Sequence, residues 1–136
     1  ALGDDSGLVV DALDGGPGIY SSRFAGEGAD DASNNRMLME ALAGVGESRR
    51  GAHFYCAMAL LRHAGDPAPL VATGKWDGRI LEAPAGSGGF GYDPLFWVAS
   101  QGRTAAQMPA DVKNRLSHRG QALAALLQQL EGEFRS

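Results

Sequence analysis

His53-Phe54-Tyr55-Cys56-Ala57-Met58-Ala59-Leu60-Leu61 is the most apolar run in the chain, and its folding decides the architecture. The even positions Phe54, Cys56, Met58 and Leu60 are all apolar, and most odd positions are too. Apolar residues on both faces predict a strand buried on both sides, hence central in a sheet. Downstream, Ala64-Gly65-Asp66-Pro67 predicts a turn and a hairpin into a second strand over 70–73. The stretch 74–78 reads as an interruption, with Arg79-Ile80-Leu81 resuming the strand.

Upstream, Leu8-Val9-Val10-Asp11-Ala12-Leu13 is rich in β-branched residues and predicts another strand, closed by the turn Asp14-Gly15-Gly16-Pro17-Gly18. Residues 19–24 continue as an irregular extended segment, and 26–30 as a loop. A helix is expected over 31–43, capped by Asp30 or Asp31, with Leu38, Ala41, Leu42 and Val45 on its apolar face and Gly44 as its stop. Toward the other end, 84–91 is a glycine-rich loop, 95–98 a short apolar stretch, and 105–114 holds a helical turn. Ser117 caps a final helix whose apolar stripe is Leu123, Leu126, Leu127, Leu130 and Phe134. This order of strand, helix, strands and helix predicts one mixed α/β domain over 1–136.

Bulk properties bound the function. The chain has 136 residues, 44% hydrophobic and 21% charged, which suits a single globular domain. Its formal net charge of -4 argues against binding a nucleic-acid polymer but leaves room for a small anionic ligand beside a local basic cluster. The lone cysteine, Cys56, reads as a core residue and excludes an internal disulfide, in keeping with a cytoplasmic location. No stretch approaches the length of a membrane span, and the start does not resemble a signal peptide. Ala1-Leu2-Gly3 reads as the end of a strand whose beginning is absent, so a preceding segment is expected.

Three clusters carry possible chemistry. Asp4-Asp5-Ser6-Gly7 reads either as a solvated turn or as an acidic pair that holds a hard cation such as Mg²⁺. In Gly86-Ser87-Gly88-Gly89-Phe90-Gly91-Tyr92-Asp93-Pro94 the aromatics either fold back on the core or stack on a nucleobase. It is not a Walker loop, since no Gly-Lys-Ser or Gly-Lys-Thr follows. Lys113-Asn114-Arg115-Leu116-Ser117-His118-Arg119-Gly120 gathers cations at the start of the last helix. They form either a solvated patch or a site for an electron-rich ligand that offsets their conflict with the helix dipole. A Ser6–His118 nucleophilic triad lacks a Gly-x-Ser-x-Gly elbow. His53 and His63 lack metal-ligand spacing with Cys56.

Taken in this order, DDSGLVVDAL, GGPGIYSSRFAG, GGFGYDP and SHRGQAL, with Lys113 ahead of His118, resemble the inosine/xanthosine triphosphate pyrophosphatase family. The resemblance covers nearly the whole chain. It implies an elongated α/β fold, with a mixed sheet flanked by helices and two lobes about a central cleft, acting as a homodimer. It implies Mg²⁺-dependent hydrolysis of purine nucleoside triphosphates such as ITP, dITP and XTP to monophosphate and pyrophosphate. By position, Asp5 is expected as catalytic base and metal ligand, with Asp4 as a second metal carboxylate and Ser6 as a substrate contact. Phe90, Gly91, Tyr92 and Asp93 are expected to enclose base and sugar. Lys113, Arg119 and a protonated His118 are expected to read the six-oxo group, which adenine lacks. The family's opening strand, its Ser/Thr-x-Asn-x-x-Lys phosphate loop and a metal-binding Glu further on have no counterpart in these residues. A nucleotide-binding remnant, or a structural dimerisation module, is therefore the competing expectation, with self-association through an open sheet edge.

Overall fold

The computed structural model describes residues 2–61 and 63–135. A six-stranded sheet runs in the order β2-β1-β3-β4-β5-β6, antiparallel at every described pairing. Its strands are β1 (Leu2–Val10), β2 (Pro17–Gly18), β3 (Gly51–Leu60), β4 (Leu70–Ile80), β5 (Phe96–Val98) and β6 (Arg103–Thr104). The helices are α1 (Asp31–Ala41), α2 (Ala110–Leu116) and α3 (His118–Arg135). The mixed α/β class holds, while the sheet itself is antiparallel rather than mixed. No described helix is long and apolar enough to cross a membrane.

The apolar run does lie inside the sheet, between β1 and β4, but only one of its faces is buried. Ala52, Phe54, Cys56 and Met58 are buried and the odd positions are half-exposed. An antiparallel sheet can leave one face to water, and β4 repeats the alternation with Ala72, Gly74 and Trp76 inward. The inward face carries two apolar clusters. One joins Leu8, Val10, Phe54, Trp76, Ile80 and Phe96 to Leu38 of α1 and to Leu42, which caps its end. The other joins Cys56, Met58 and Ala72 to Ala122 and Leu126 of α3.

Several local expectations change. Asp4-Asp5-Ser6-Gly7 is not a turn but the middle of β1, because the strand pairs with β3 without a break from Leu2 to Val10. The strand ends at Val10, and Asp11–Leu13 is a 3-10 turn. A 3-10 turn at Ser21–Arg23 replaces the extended segment. Helix α1 is capped by Asp30, whose carboxylate accepts from Ser33 N–H at 2.8 Å; Ala41 is exposed, and buried Asn34 joins Leu38 on the inner face.

Residues 74–78 do not interrupt β4 at all. A Cβ at Gly74 would overlap the His118 carbonyl and lie 2.8 Å from Ala122 N, while one at Gly78 would lie 2.6 Å from Phe96. These glycines mark where neighbouring elements press onto the strand. On α3 the inward residues are Ala122 and Leu126; Leu123 and Leu127 are exposed, so the expected stripe is rotated by about a residue. The side chain of Phe134 lies outside the described residues.

Candidate functional site

Strand register places the acidic cluster. Opposite partners across β1, β3 and β4 form rows on the inner face: Asp4–Met58–Ala72, then Ser6–Cys56–Gly74, then Leu8–Phe54–Trp76. Adjacent strand residues point to opposite faces. Asp4 and Ser6 therefore face inward, whereas Asp5 projects from the other face, where its charge raises the pKa of Tyr55 after burial has done so. The two carboxylates stand on opposite sides of the sheet and cannot clasp one ion together.

Helix α3 enters above the middle row. Because Gly74 has no side chain, the first turn of α3 settles on β4, and His118 Nε2 comes within 2.8 Å of Ser6 Oγ. The imidazole stacks on Phe54, with ring centroids 4.9 Å apart and planes at 14°. Ser117 caps α3 by accepting from Gly120 N–H at 3.1 Å. Next in sequence, Arg119 Nε lies 3.6 Å from Asp4 Oδ2, and Cys56 Sγ is 3.4 Å from Asp4 Oδ1. Burial pushes the Cys56 thiol up to about 11, with the Asp4 hydrogen bond adding to it.

Lys113 is not at the start of the last helix. It lies in the closing half of α2, where a cation suits the helix dipole, and its ammonium pairs with the buried carboxylate of Asp93. Asp93 also accepts from Phe90 N–H at 3.0 Å, which folds the glycine loop over itself. Gly89 has a positive φ of 71°, and a Cβ there would strike the Asp93 carboxylate. The loop is latched to α1: Gly91 N–H donates to Asp31 Oδ2 at 2.9 Å, and Asn35 Nδ2 donates to Gly91 O at 2.8 Å.

The two loop aromatics part company. Phe90 is 60% exposed, with Lys113 Nζ 4.5 Å and the Arg119 guanidinium 5.8 Å from its ring centre. Tyr92 is 4% exposed and belongs to the core; its hydroxyl donates to Ser21 O at 2.6 Å, and burial, then Asp31, raise its pKa. Of these two loop aromatics, Phe90 is the one whose ring stays exposed, with the two cations beside it.

All of this borders one groove of about 660 Å³. Ser6, Phe90, Gly91, Tyr92, Asp93, Lys113, His118 and Arg119 line it together. Asp4 reaches its rim through Arg119, and Asp5 does not reach it. The expected protonated His118 is corrected: burial foremost, then Arg119, push its pKa down to about 4, so it is neutral at pH 7. Ser21, Asp31 and Asn34 also line it, and Asn35 supports it through its bond to Gly91. The sequence marks Asp31 only as a helix cap and Ser21 only as part of GGPGIYSSRFAG, and it does not single out the two asparagines. Asn34 accepts from Ala25 N–H and donates to Ser22 O, which ties α1 to the turn beneath the groove. The spacing of Asp31 and Asn35, four apart on one helical face, was the available signal.

The groove gathers Ser6, the glycine-loop residues and Lys113, His118 and Arg119 but not Asp5. The Ham1 family model matches residues 1–129. The chain belongs to the Ham1 family. It is 55% identical over 130 residues to a protein of Shigella flexneri named dITP/XTP pyrophosphatase, a match that covers 96% of this chain and 66% of that one. A protein of the same name from Escherichia coli K12 is 53% identical over 130 residues, with the same coverage. Among solved structures, a HAM1 protein from Coxiella burnetii superposes with a TM-score of 0.91 at 48% identity, covering 97% of this chain and 67% of that one. A nucleoside-triphosphatase, dITP/XTP pyrophosphatase, from Mycobacterium abscessus superposes with a TM-score of 0.79 at 45% identity, covering 95% of this chain and 65% of that one. The Ham1 chain described here thus spans about two thirds of the length of the curated relatives it matches.

Proposed function

We propose that this Ham1-family chain takes part in hydrolysing non-canonical purine nucleoside triphosphates, such as dITP, ITP and XTP, to the monophosphate and pyrophosphate. The observation that carries the reading is the single groove of about 660 Å³ lined by Ser6, Phe90, Lys113, His118 and Arg119. That volume suits a nucleotide, and the exposed Phe90 face with two cations beside it suits an electron-poor purine carrying anionic groups. Cytoplasmic location and assembly as a homodimer belong to the same reading.

Base selection follows from donors. Arg119 has only donors, which match the six-oxo acceptor of hypoxanthine and xanthine and leave an unpaired donor against the amino group of adenine. Arg119 is half exposed here, so the penalty applies only once a bound base covers it; a donor then left unpaired costs about 1–3 kcal/mol, roughly a tenfold to hundredfold preference.

Mg²⁺ in this reading is carried chiefly by the triphosphate. No group of three or more His, Cys, Asp or Glu side chains among the described residues could hold a metal ion. Mg²⁺ commonly takes one or two protein carboxylates and completes its shell with phosphate and water, so one strand carboxylate fits it. When bound it supplies charge to the leaving pyrophosphate and acidifies water. Asp5 is the carboxylate assigned to take the proton. Asp4 is engaged by Arg119 and Cys56, whereas Asp5 makes no ion pair among the described residues. Asp5 leaves β1 on the face away from the groove, so this role requires the triphosphate to extend beyond the groove toward that face.

The deciding experiment is turnover of inosine triphosphate by the 136-residue chain with Mg²⁺, beside Asp4→Asn and Asp5→Asn variants. Release of pyrophosphate that collapses by orders of magnitude in Asp5→Asn is expected. Nucleotide binding without turnover in the parent chain would favour the binding-only alternative. Equal turnover in parent and Asp5→Asn would remove Asp5 from its role.

A further inference from the structure

The His118 ring is held on three sides. It stacks on Phe54, Nε2 lies 2.8 Å from Ser6 Oγ, and Nδ1 is buried with no hydrogen-bond partner among the described residues. Neither ring nitrogen is thus left free to read a purine. Which nitrogen carries the proton is decided by the surroundings. His118 is the first residue of α3, where unpaired backbone N–H groups gather and the helix end is positive. The cations Arg119 and Lys113 also lie close enough to disfavour a charged ring, with Asp4 opposing them. The imidazole is neutral and holds one N–H. A proton on Nδ1 would be a buried donor with no acceptor among the described residues, at the positive start of α3, where a lone pair is better placed. The proton belongs on Nε2.

Ser6 is half-buried, lines the groove, and among the described residues its hydroxyl has one partner, His118. We propose that His118 is a positioning residue: its Nε2–H donates to Ser6 Oγ, which frees the Ser6 hydroxyl proton to donate to an oxygen acceptor of the bound nucleotide. Gly74 belongs to the same device, since it lets the start of α3 descend to the row that holds Ser6. The identity of the acceptor rests on the proposed nucleotide function; the position of the proton does not.

Long-range ¹H–¹⁵N spectra of the labelled full chain test the proton directly. A pyrrole-type Nε2 and a pyridine-type Nδ1 are expected, and the reverse assignment overturns the proposal whatever the protein binds. Calorimetry with inosine and inosine monophosphate tests the consequence. Ser6→Ala should weaken binding about tenfold, the size of one hydrogen bond to a charged or polar acceptor. His118→Gln, whose amide still donates to Ser6, should keep most of the affinity. The double variant Ser6→Ala/His118→Ala should bind no worse than Ser6→Ala alone, and additive losses would overturn the proposal. A loss confined to the monophosphate assigns the acceptor to phosphate and equal losses assign it to the nucleoside; both uphold the relay. Should His118→Ala fail to fold, the spectra and His118→Gln carry the test. If the parent chain binds neither probe, the nucleotide reading falls, and the spectra alone still decide the Ser6–His118 arrangement.

Discussion

Gly74→Ala puts the fold and the groove to one test. A Cβ at this position would overlap the His118 carbonyl and lie 2.8 Å from Ala122 N and 2.9 Å from Gln121 Cβ, against about 3.4 Å for ordinary contact. Two of these three atoms are backbone, so no rotamer change relieves the clash, and the His118 carbonyl, the nearest of the three, forces α3 to back away from β4 by more than about 1 Å. The same displacement takes His118 Nε2, now 2.8 Å from Ser6 Oγ, out of hydrogen-bond reach. Overpacking costs about 1–3 kcal/mol and a lost hydrogen bond about 1 kcal/mol, offset by roughly 0.5–1 kcal/mol from removing a strand glycine. The net loss is about 2 kcal/mol, or about 6 °C in Tm for a chain of this size. Gly132→Ala is the matched control: it lies in α3 with nothing within 4 Å of the added methyl, so helix propensity should raise Tm by about 2–3 °C. Thermal unfolding followed by circular dichroism, with inosine monophosphate affinity measured on both variants, reads the two effects. A Gly74→Ala protein as stable as its parent, with unchanged affinity, would refute the reasoning.

Four further outcomes are expected. Arg119→Ala should weaken binding of inosine triphosphate far more than of ATP; equal losses in competition calorimetry would take base reading away from Arg119. Tyr92→Phe removes the 2.6 Å bond to Ser21 O while keeping the core ring, and should cost about 1 kcal/mol in urea unfolding. Cys56, buried and shifted to about 11, should resist alkylation at pH 8 and react at the rate of global unfolding; rapid labelling of the native chain would contradict its burial. His118 has a folded pKa of about 4 against an ordinary 6.5, so the unfolded chain takes up its proton first. The sign follows: its contribution to stability is whole above pH 6.5 and declines as pH falls from there toward 4, and His118→Gln should flatten that part of the pH–stability curve.

The sequence determined most of the secondary structure and part of the groove's lining. Alternation and turn chemistry are local properties, so β3, α1 with its Asp30 cap and α3 with its Ser117 cap were legible without coordinates. So were Ser6, Phe90, Lys113 and Arg119, whose motifs concentrate chemistry-bearing side chains where packing alone has little use for them. Direction and pairing were not legible. Whether Asp4 or Asp5 faces the groove depends on register with β3, and one residue of slip would exchange them. Glycines at 74 and 78 looked like breaks because their function, a close approach by α3 and by β5, lies entirely outside β4. His118 looked like a cation because its spacing says nothing of burial. Only packing against Phe54 and Ser6, under the positive start of α3, makes it a neutral ring. Local preference acts through each residue's own backbone, whereas facing, charge state and contact come from atoms far along the chain, and these exist only once the sheet and α3 have met.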